Sequence, residues 1–191
     1  MNFVFCFLLN TQCDDNQTKL IHSKTGALMT TVKLTNVGKQ QVATLNPTTP
    51  VISIRDKYSD PAIIPNENNR RILRLTFFTM DHMPSVDEDD CLSKDQVKDI
   101  INFIKLSAQE GHDKIYFQCG EGRIRSYTLA SNIANYHRYS DEGIIALNGI
   151  VLEYCNKDSV IKQGIEDRKT ANRLFNYLED LNKEIQETLS E

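Results

Sequence analysis

The chain alternates short β-rich segments with segments of helical periodicity, and this alternation limits its fold more than any other feature. Residues 51–55 and 114–118 are rich in β-branched and aromatic side chains, which predicts buried strands. Between them, Ser93 and Gln96 form a capping-box pattern. Apolar residues then recur at helical spacing: Val97, Ile100, Ile101, Ile104 and Ala108. This alternation predicts an α/β fold with a mostly parallel central sheet flanked by helices.

The other predicted elements continue this pattern. Strands are expected at 30–34 and 72–78, a short helix at 39–45, and loops at 60–69 and 80–90. The last third is predicted to be helical, with helices from Ser126, over 144–154 and over about 167–189. We expect a single domain of residues 29–191, preceded by a leader or an extra strand in residues 1–28. Residues 3–9 are apolar, but no basic residue precedes them and no cleavage pattern follows, which argues against secretion.

Composition excludes several classes of protein. Apolar residues make up 40% of the 191 residues, and no apolar run is long enough to span a bilayer. The 22 Lys and Arg against 26 Asp and Glu give a net charge of −4, which argues against general nucleic-acid binding. The five cysteines include no C-x-x-C pair, and the four histidines lack metal-ligand spacing. We therefore expect reduced thiols, a cytoplasmic location, and no metal, cofactor or membrane partner.

One segment joins a predicted strand to a predicted helix through a glycine-containing turn. Cys119 follows the strand, Gly120 and Gly122 lie in the turn, and Arg125 and Ser126 open the helix. Such a turn directs backbone N–H groups and the positive end of the helix dipole at one point, which suits a tetrahedral dianion. The same field favours a nucleophilic Cys119 thiolate, and Arg125 offers two parallel hydrogen bonds to the anion. The Ser126 hydroxyl can donate to the sulfur when it departs.

The pattern Cys119-x₅-Arg125-Ser126, with Gly122 inside it, resembles the signature of the cysteine-dependent protein tyrosine phosphatase superfamily. The order of the predicted elements resembles the compact dual-specificity-like phosphatases of bacteria and their phages. The resemblance implies a PTP-like phosphate-binding loop between a strand and a helix, a phosphocysteine formed on Cys119, and a phosphorylated protein as substrate. The implied substrate-binding residues are Gly120, Glu121, Gly122, Arg123, Ile124 and Arg125.

Two positions in this segment depart from the family pattern or add to it. Gln118 stands where the family has a histidine that orients the loop and favours the thiolate. We interpret this replacement as an attenuation of that support. Arg123 is an additional cation, which either pairs with Glu121 or favours a more highly charged substrate, such as a nucleotide, an RNA 5′-phosphate or a phosphoinositide.

A phosphatase of this kind also needs a general acid, which the family places on a loop upstream of the cysteine. Asp81, after the predicted strand 72–78, is the first candidate. Asp87, Asp89 and Asp90 in the same acidic loop compete with it, and His82 is an alternative proton donor.

Asn148 resembles a family asparagine that supports the phosphate loop, although Asn148-Gly149 also fits a turn. Two functions follow from these residues. The first is a phosphomonoester hydrolase, in which Cys119, Arg125, Asp81 and Ser126 are catalytic. The alternative is a catalytically weak, phosphate-binding pseudophosphatase, which the Gln118 replacement favours.

Overall fold

The computed structural model describes residues 29–69, 71–81, 86–156 and 164–191, and the leader or extra strand expected in 1–28 lies outside them. Five strands form one sheet in the order β3-β2-β4-β1-β5, and all neighbouring strands are parallel. The strands are β1 (Thr30–Gly38), β2 (Val51–Arg55), β3 (Ile72–Thr76), β4 (Lys114–Cys119) and β5 (Ile150–Tyr154). The helices are α1 (Lys39–Val42), α2 (Lys94–Gln109), α3 (Arg125–Tyr139) and α4 (Arg168–Ser190). The predicted α/β class is confirmed.

Buried apolar side chains lie on both faces of the sheet because successive residues of a strand point to opposite sides. Ile115 and Phe117 of β4 belong to the larger cluster, which joins the sheet to α2, α3 and α4. Tyr116, between them, belongs to a smaller cluster on the opposite face. The other members of that cluster are Val37, Val42, Val51, Ala62 and Ile64. Helices α2, α3 and α4 therefore cover one face of the sheet. Helix α1 and residues 61–64 cover part of the other face.

Helix α2 begins as its sequence predicts. The Gln96 amide donates to Ser93 Oγ over 3.2 Å, and the Ser93 amide donates to Gln96 Oε1 over 3.0 Å, which completes the capping box. The apolar residues at helical spacing are all buried in the larger cluster. Local sequence and tertiary packing agree in this helix.

The prediction of a helix over residues 144–154 is wrong. The chain there forms a single 3₁₀ turn, Ile145–Leu147, followed by Gly149 at φ +84° and then strand β5. Ile144, Leu147 and Ile150 are spaced by three residues, which imitates a helical face. The β-branched start of β5 instead pairs with β1, from Thr30 opposite Ile150 onward, and Gly149 permits the sharp reversal before it.

Strand β1 is longer than the 30–34 segment predicted from the sequence and continues to Gly38. Polar residues such as Thr35 and Asn36 conceal its second half, yet both side chains are fully buried. The extension brings Gly38 opposite Cys119 at the carboxyl edge of the sheet. Among the described helices, none combines the length and apolar character that crossing a bilayer requires.

Candidate functional site

Cys119 is the last residue of β4, at the carboxyl edge of the sheet and beside the end of β1. Its side chain is buried, and its Sγ lies 3.2 Å from the fully buried Ser126 Oγ in the first turn of α3. The strand end and the helix start thus bring these two side chains into contact. This contact allows the Ser126 hydroxyl to donate a hydrogen bond to the sulfur.

The loop of residues 120–124 is attached to its surroundings through its carbonyl groups. The Lys39 amide donates to the Gly120 carbonyl over 2.8 Å, and the Ile165 amide donates to the Arg123 carbonyl over 2.8 Å. Asn36 Nδ2 donates to the Gly122 carbonyl over 2.7 Å. Within the described part of the chain, no amide N–H of residues 120–124 donates to a protein acceptor. These amides therefore have no acceptor among the described residues, in a loop that begins directly after Cys119.

Gly122 is required where the loop meets β1. Its φ is +76°, and a Cβ at this position would lie 2.5 Å from both the Gly38 nitrogen and the Val37 carbonyl carbon. These distances are far below van der Waals contact, and both atoms belong to backbone. Only glycine allows this close approach between the loop and the end of β1.

The two terminal nitrogens of the Arg125 guanidinium differ in their hydrogen bonding. Its Nη2 donates to Asp56 Oδ2 over 3.1 Å, and the two side chains are only 17% and 22% exposed. Its Nη1 is buried without a hydrogen-bond partner among the described residues. A buried donor without a partner costs free energy, so this nitrogen is a candidate donor to a bound anion.

Asp56 orients Arg125 and was not identified from the sequence. It directly follows β2, the neighbour of β4, and that position at the shared carboxyl edge is the signal that could have revealed it. Burial alone would raise the pKa of Asp56. Hydrogen bonds from Ser59 and Tyr58, together with the charge of Arg125, outweigh burial and hold the pKa below its usual value.

Asp81, the first candidate for the general acid, contacts the start of α4. Its Oδ2 accepts from the Arg168 amide over 2.7 Å, and its own amide donates to Asp167 Oδ2 over 3.4 Å. The Asp167 amide in turn donates to Thr128 Oγ1 in the first turn of α3 over 3.0 Å. Asp167 thus links Asp81 to α3. The Asp81 carboxylate itself accepts from the first turn of α4.

The competing acids have no described contact with the cysteine loop. Asp87 and Asp89 are exposed, and Asp90 forms a 3.3 Å ion pair with Lys57. Among the described contacts, none joins these three carboxylates to residues 119–126. His82 lies outside the described residues.

Gln118 faces away from the Cys119 side of the sheet and is buried against β2. Its Oε1 accepts a 2.7 Å hydrogen bond from Ser53 Oγ. Glu121 and Arg123 are both exposed, and the described ion pairs do not include one between them. The predicted pairing of these two loop residues is therefore absent from the structure.

Asn148 lies at the amino ends of the strands, whereas Cys119 lies at their carboxyl ends. The structure therefore does not support the predicted contact of Asn148 with the loop. Asn148 precedes Gly149, whose carbonyl accepts from the amide of Thr30 at the amino end of β1. The nine residues of β1 place that edge about 26 Å from the carboxyl edge. Asn36 contacts the loop instead, and its Oδ1 accepts from the Tyr154 hydroxyl.

Comparison of the chain with protein-family models, with curated proteins and with solved structures gives no match. Among the described residues, no group of three or more His, Cys, Asp or Glu side chains is arranged to hold a metal ion. Any interpretation of the site therefore depends on its own geometry.

Proposed function

We propose that this protein is a phosphomonoester hydrolase that acts through a phosphocysteine on Cys119. The observation that carries the proposal is a set of donors, in the loop after a buried cysteine, that have no acceptor among the described residues: the amides of residues 120–124 and Arg125 Nη1. A phosphate dianion supplies the acceptors that these donors lack. Asp56 strengthens the argument, because it holds one edge of the guanidinium and leaves the other for the anion.

The proposed reaction has two displacement steps. In the first, the Cys119 thiolate attacks phosphorus, the bond from phosphorus to the ester oxygen breaks, and a general acid gives that oxygen a proton. In the second, water attacks phosphorus and the P–S bond breaks, so that inorganic phosphate and the thiolate are released. Ser126 Oγ, 3.2 Å from the sulfur, donates to the departing thiolate.

Asp81 remains the proposed acid for the first step. To protonate the leaving oxygen, the Asp81 carboxyl group must carry a proton and must exchange its hydrogen bond with the Arg168 amide for one with the substrate. In the second step the same carboxylate accepts a proton from the attacking water.

By resemblance, the proposed substrate is a phosphorylated protein, as for a tyrosine or dual-specificity phosphatase, and the proposed location is the cytoplasm. The buried thiols of Cys91, Cys119 and Cys155 are all free, which is consistent with a reducing compartment.

Turnover of p-nitrophenyl phosphate tests the proposal. Cys119→Ser should lower the rate by about 10⁴-fold or more, because serine is not ionised near neutral pH. Cys155→Ala is the matched control, because Cys155 is another buried free cysteine, at the end of β5, and it should retain the wild-type rate. Wild-type turnover equal to that of Cys119→Ser would overturn the hydrolase proposal.

Two observations favour a second function, a phosphate-binding module with little activity. The Asp81 carboxylate is occupied as a helix cap, and Gln118 is bonded to Ser53 on the other face of the sheet. In such a module the loop would bind phosphorylated partners without hydrolysing them. Tight binding of inorganic phosphate without turnover would identify it.

A further inference from the structure

Helices α2 and α4 and the 3₁₀ turn before β5 border an open groove of about 530 Å³. Its lining is mainly apolar and includes Ile101 of α2, Ile145 and Ala146 of the turn, and Leu181, Ile185 and Leu189 of α4. Leu189 is 76% exposed and Ile185 is half-buried, so the described residues leave part of this apolar surface uncovered. Contiguous apolar surface with a polar rim is typical of a binding site.

The groove lies beside the point at which the chain enters the sheet. Asn148 lines the groove, and the carbonyl of the next residue, Gly149, accepts from the Thr30 amide over 3.1 Å. Thr30 is the first residue of β1. Residues 1–28 are therefore joined to the sheet next to this apolar surface.

The composition of the joined segment matches the groove. Residues 3–9 are the longest apolar run in the sequence, and two aspartates follow at positions 14 and 15. The α2 side of the groove carries the exposed Lys105 and also Lys98, which pairs with Glu184 at 2.9 Å. The run suits the apolar lining, and the aspartates suit the charge of Lys105.

We propose that residues 3–9 dock in this groove of their own chain and cover its apolar lining. Residues 10–29 span roughly 66 Å when extended. The groove follows α2 only from Lys98 to Lys105, roughly 12 Å, so the linker is long enough. Docking within one chain has a high effective concentration, which favours this segment over a free partner. Cys119 lies at the other ends of the strands, so this inference is independent of the proposed phosphatase function.

Cys6, in the middle of the apolar run, allows the docked state to be trapped in the full chain. In a Cys13→Ser background, Ala146→Cys adds a thiol to the groove lining. Oxidation with diamide should join Cys6 to that thiol within one chain, because docking brings the two sulfurs into disulfide range. Ala43→Cys is the matched control, since Ala43 is exposed at the end of α1, on the other face of the sheet, and its thiol should stay free. Peptide mass spectrometry identifies the linked residues.

Alkylation of the unsubstituted protein gives a second measurement. Iodoacetamide should modify Cys6 at least about fivefold more slowly than Cys13, which lies outside the apolar run, because burial protects a thiol. Leu189→Glu should raise the Cys6 rate about threefold or more, because it adds a charge to the groove. Leu106→Glu should leave the rate unchanged, because Leu106 is 44% exposed on α2 but does not line the groove.

Equal alkylation of Cys6 and Cys13 would overturn the proposal, and so would equal cross-linking of Ala146→Cys and Ala43→Cys. A Cys6 disulfide between two chains, visible as a dimer on a non-reducing gel, would assign the groove to a second copy and overturn docking within one chain. Melting curves check that each variant is folded, which the exposure of Leu189 leads us to expect.

Discussion

At the scale of single residues, the candidate site depends on two side-chain properties that no similar residue reproduces. Gly122 has no Cβ where the loop touches β1, and Arg125 has a planar fork with one edge on Asp56 and the other unpaired. Each property leads to a prediction with a control in the same loop or helix.

Gly122→Ala should lower the free energy of unfolding by at least about 2 kcal/mol, since its φ is strained for alanine and its Cβ would overlap backbone atoms. Gly120→Ala is the matched control. A Cβ at Gly120 meets no atom within 4 Å, so this change should stay within about 0.5 kcal/mol. Urea denaturation measures both variants. Equal stability of the two would contradict the contact between Gly122 and β1.

Arg125→Lys should lower kcat/KM for p-nitrophenyl phosphate by about 10²- to 10³-fold. A single ammonium group cannot hold Asp56 and also present a second, fixed donor to the phosphate. Arg138→Lys, an exposed arginine in the last turn of the same helix, should stay within about twofold of wild type. A near-normal rate for Arg125→Lys would rule out two-point recognition of the anion.

At the scale of secondary-structure elements, the strands and helices around β4 position the loop. The end of β1 provides Gly38 and Asn36, and the segment before α4 provides Ile165 and, through Asp167, the contact with Asp81. The loop itself is a short, irregular segment, so its shape depends on hydrogen bonds from its neighbours.

The hydrogen bond from Asn36 of β1 to the Gly122 carbonyl can be tested by substituting two asparagines. Asn36→Asp replaces the Nδ2 donor to Gly122 by a carboxylate oxygen, which would repel the Gly122 carbonyl, and should lower kcat/KM about tenfold or more. Asn148→Asp, at the opposite edge of the sheet, should stay within about twofold of wild type. Steady-state kinetics with melting curves separates loss of activity from unfolding. A larger effect at Asn148 than at Asn36 would restore the sequence-based assignment.

At the scale of the whole molecule, a half-buried histidine links the end of α3 to the start of β5. His137 Nδ1 accepts from the Ile144 amide over 3.0 Å, so His137 Nε2 carries the proton that is donated to the Ile150 carbonyl over 2.7 Å. Burial lowers the pKa of His137, although the hydrogen bond to Ile150 opposes this effect. The folded state therefore favours the neutral form of His137.

The pKa of His137 is lower in the folded state, so its contribution to stability is complete above about pH 6.5 and is lost as pH falls through the folded value. His137→Gln retains one donor and one acceptor but does not titrate, and should flatten the fall in stability as pH decreases below about 6.5. Urea denaturation across this range measures the slope. An unchanged slope in His137→Gln would contradict a neutral buried ring.

Acidic groups affect stability in a separate pH range. Hydrogen bonds from Lys94 and Lys98 lower the pKa of Glu184 to about 2, and Asp56 also has a lowered pKa. Their contributions are present above the ordinary carboxylate range and disappear only at lower pH. The histidine effect can therefore be measured without interference from them.

The sequence by itself determines the features that depend on neighbouring residues. These include the capped amphipathic helix α2, the α/β alternation, and the run from Cys119 through the glycine turn to Ser126, which forms a strand end, a loop and a helix start in the structure. Each of these patterns lies within a short window, where spacing and backbone preferences suffice to predict the local structure.

Only the tertiary structure decides which distant polar groups reach the loop. Asn36 and Gly122 are 86 positions apart and Asp56 and Arg125 are 69 apart, so no local pattern links either pair. The assignment of Asn148 comes from its resemblance to a family asparagine, whereas Asn36 has no local signal, because polar residues conceal the second half of its strand. Strand order and register bring Asn36 and Asp56 to the carboxyl edge and leave Asn148 at the opposite one. Pairing between strands is a long-range interaction, which is why sequence periodicity does not reveal it.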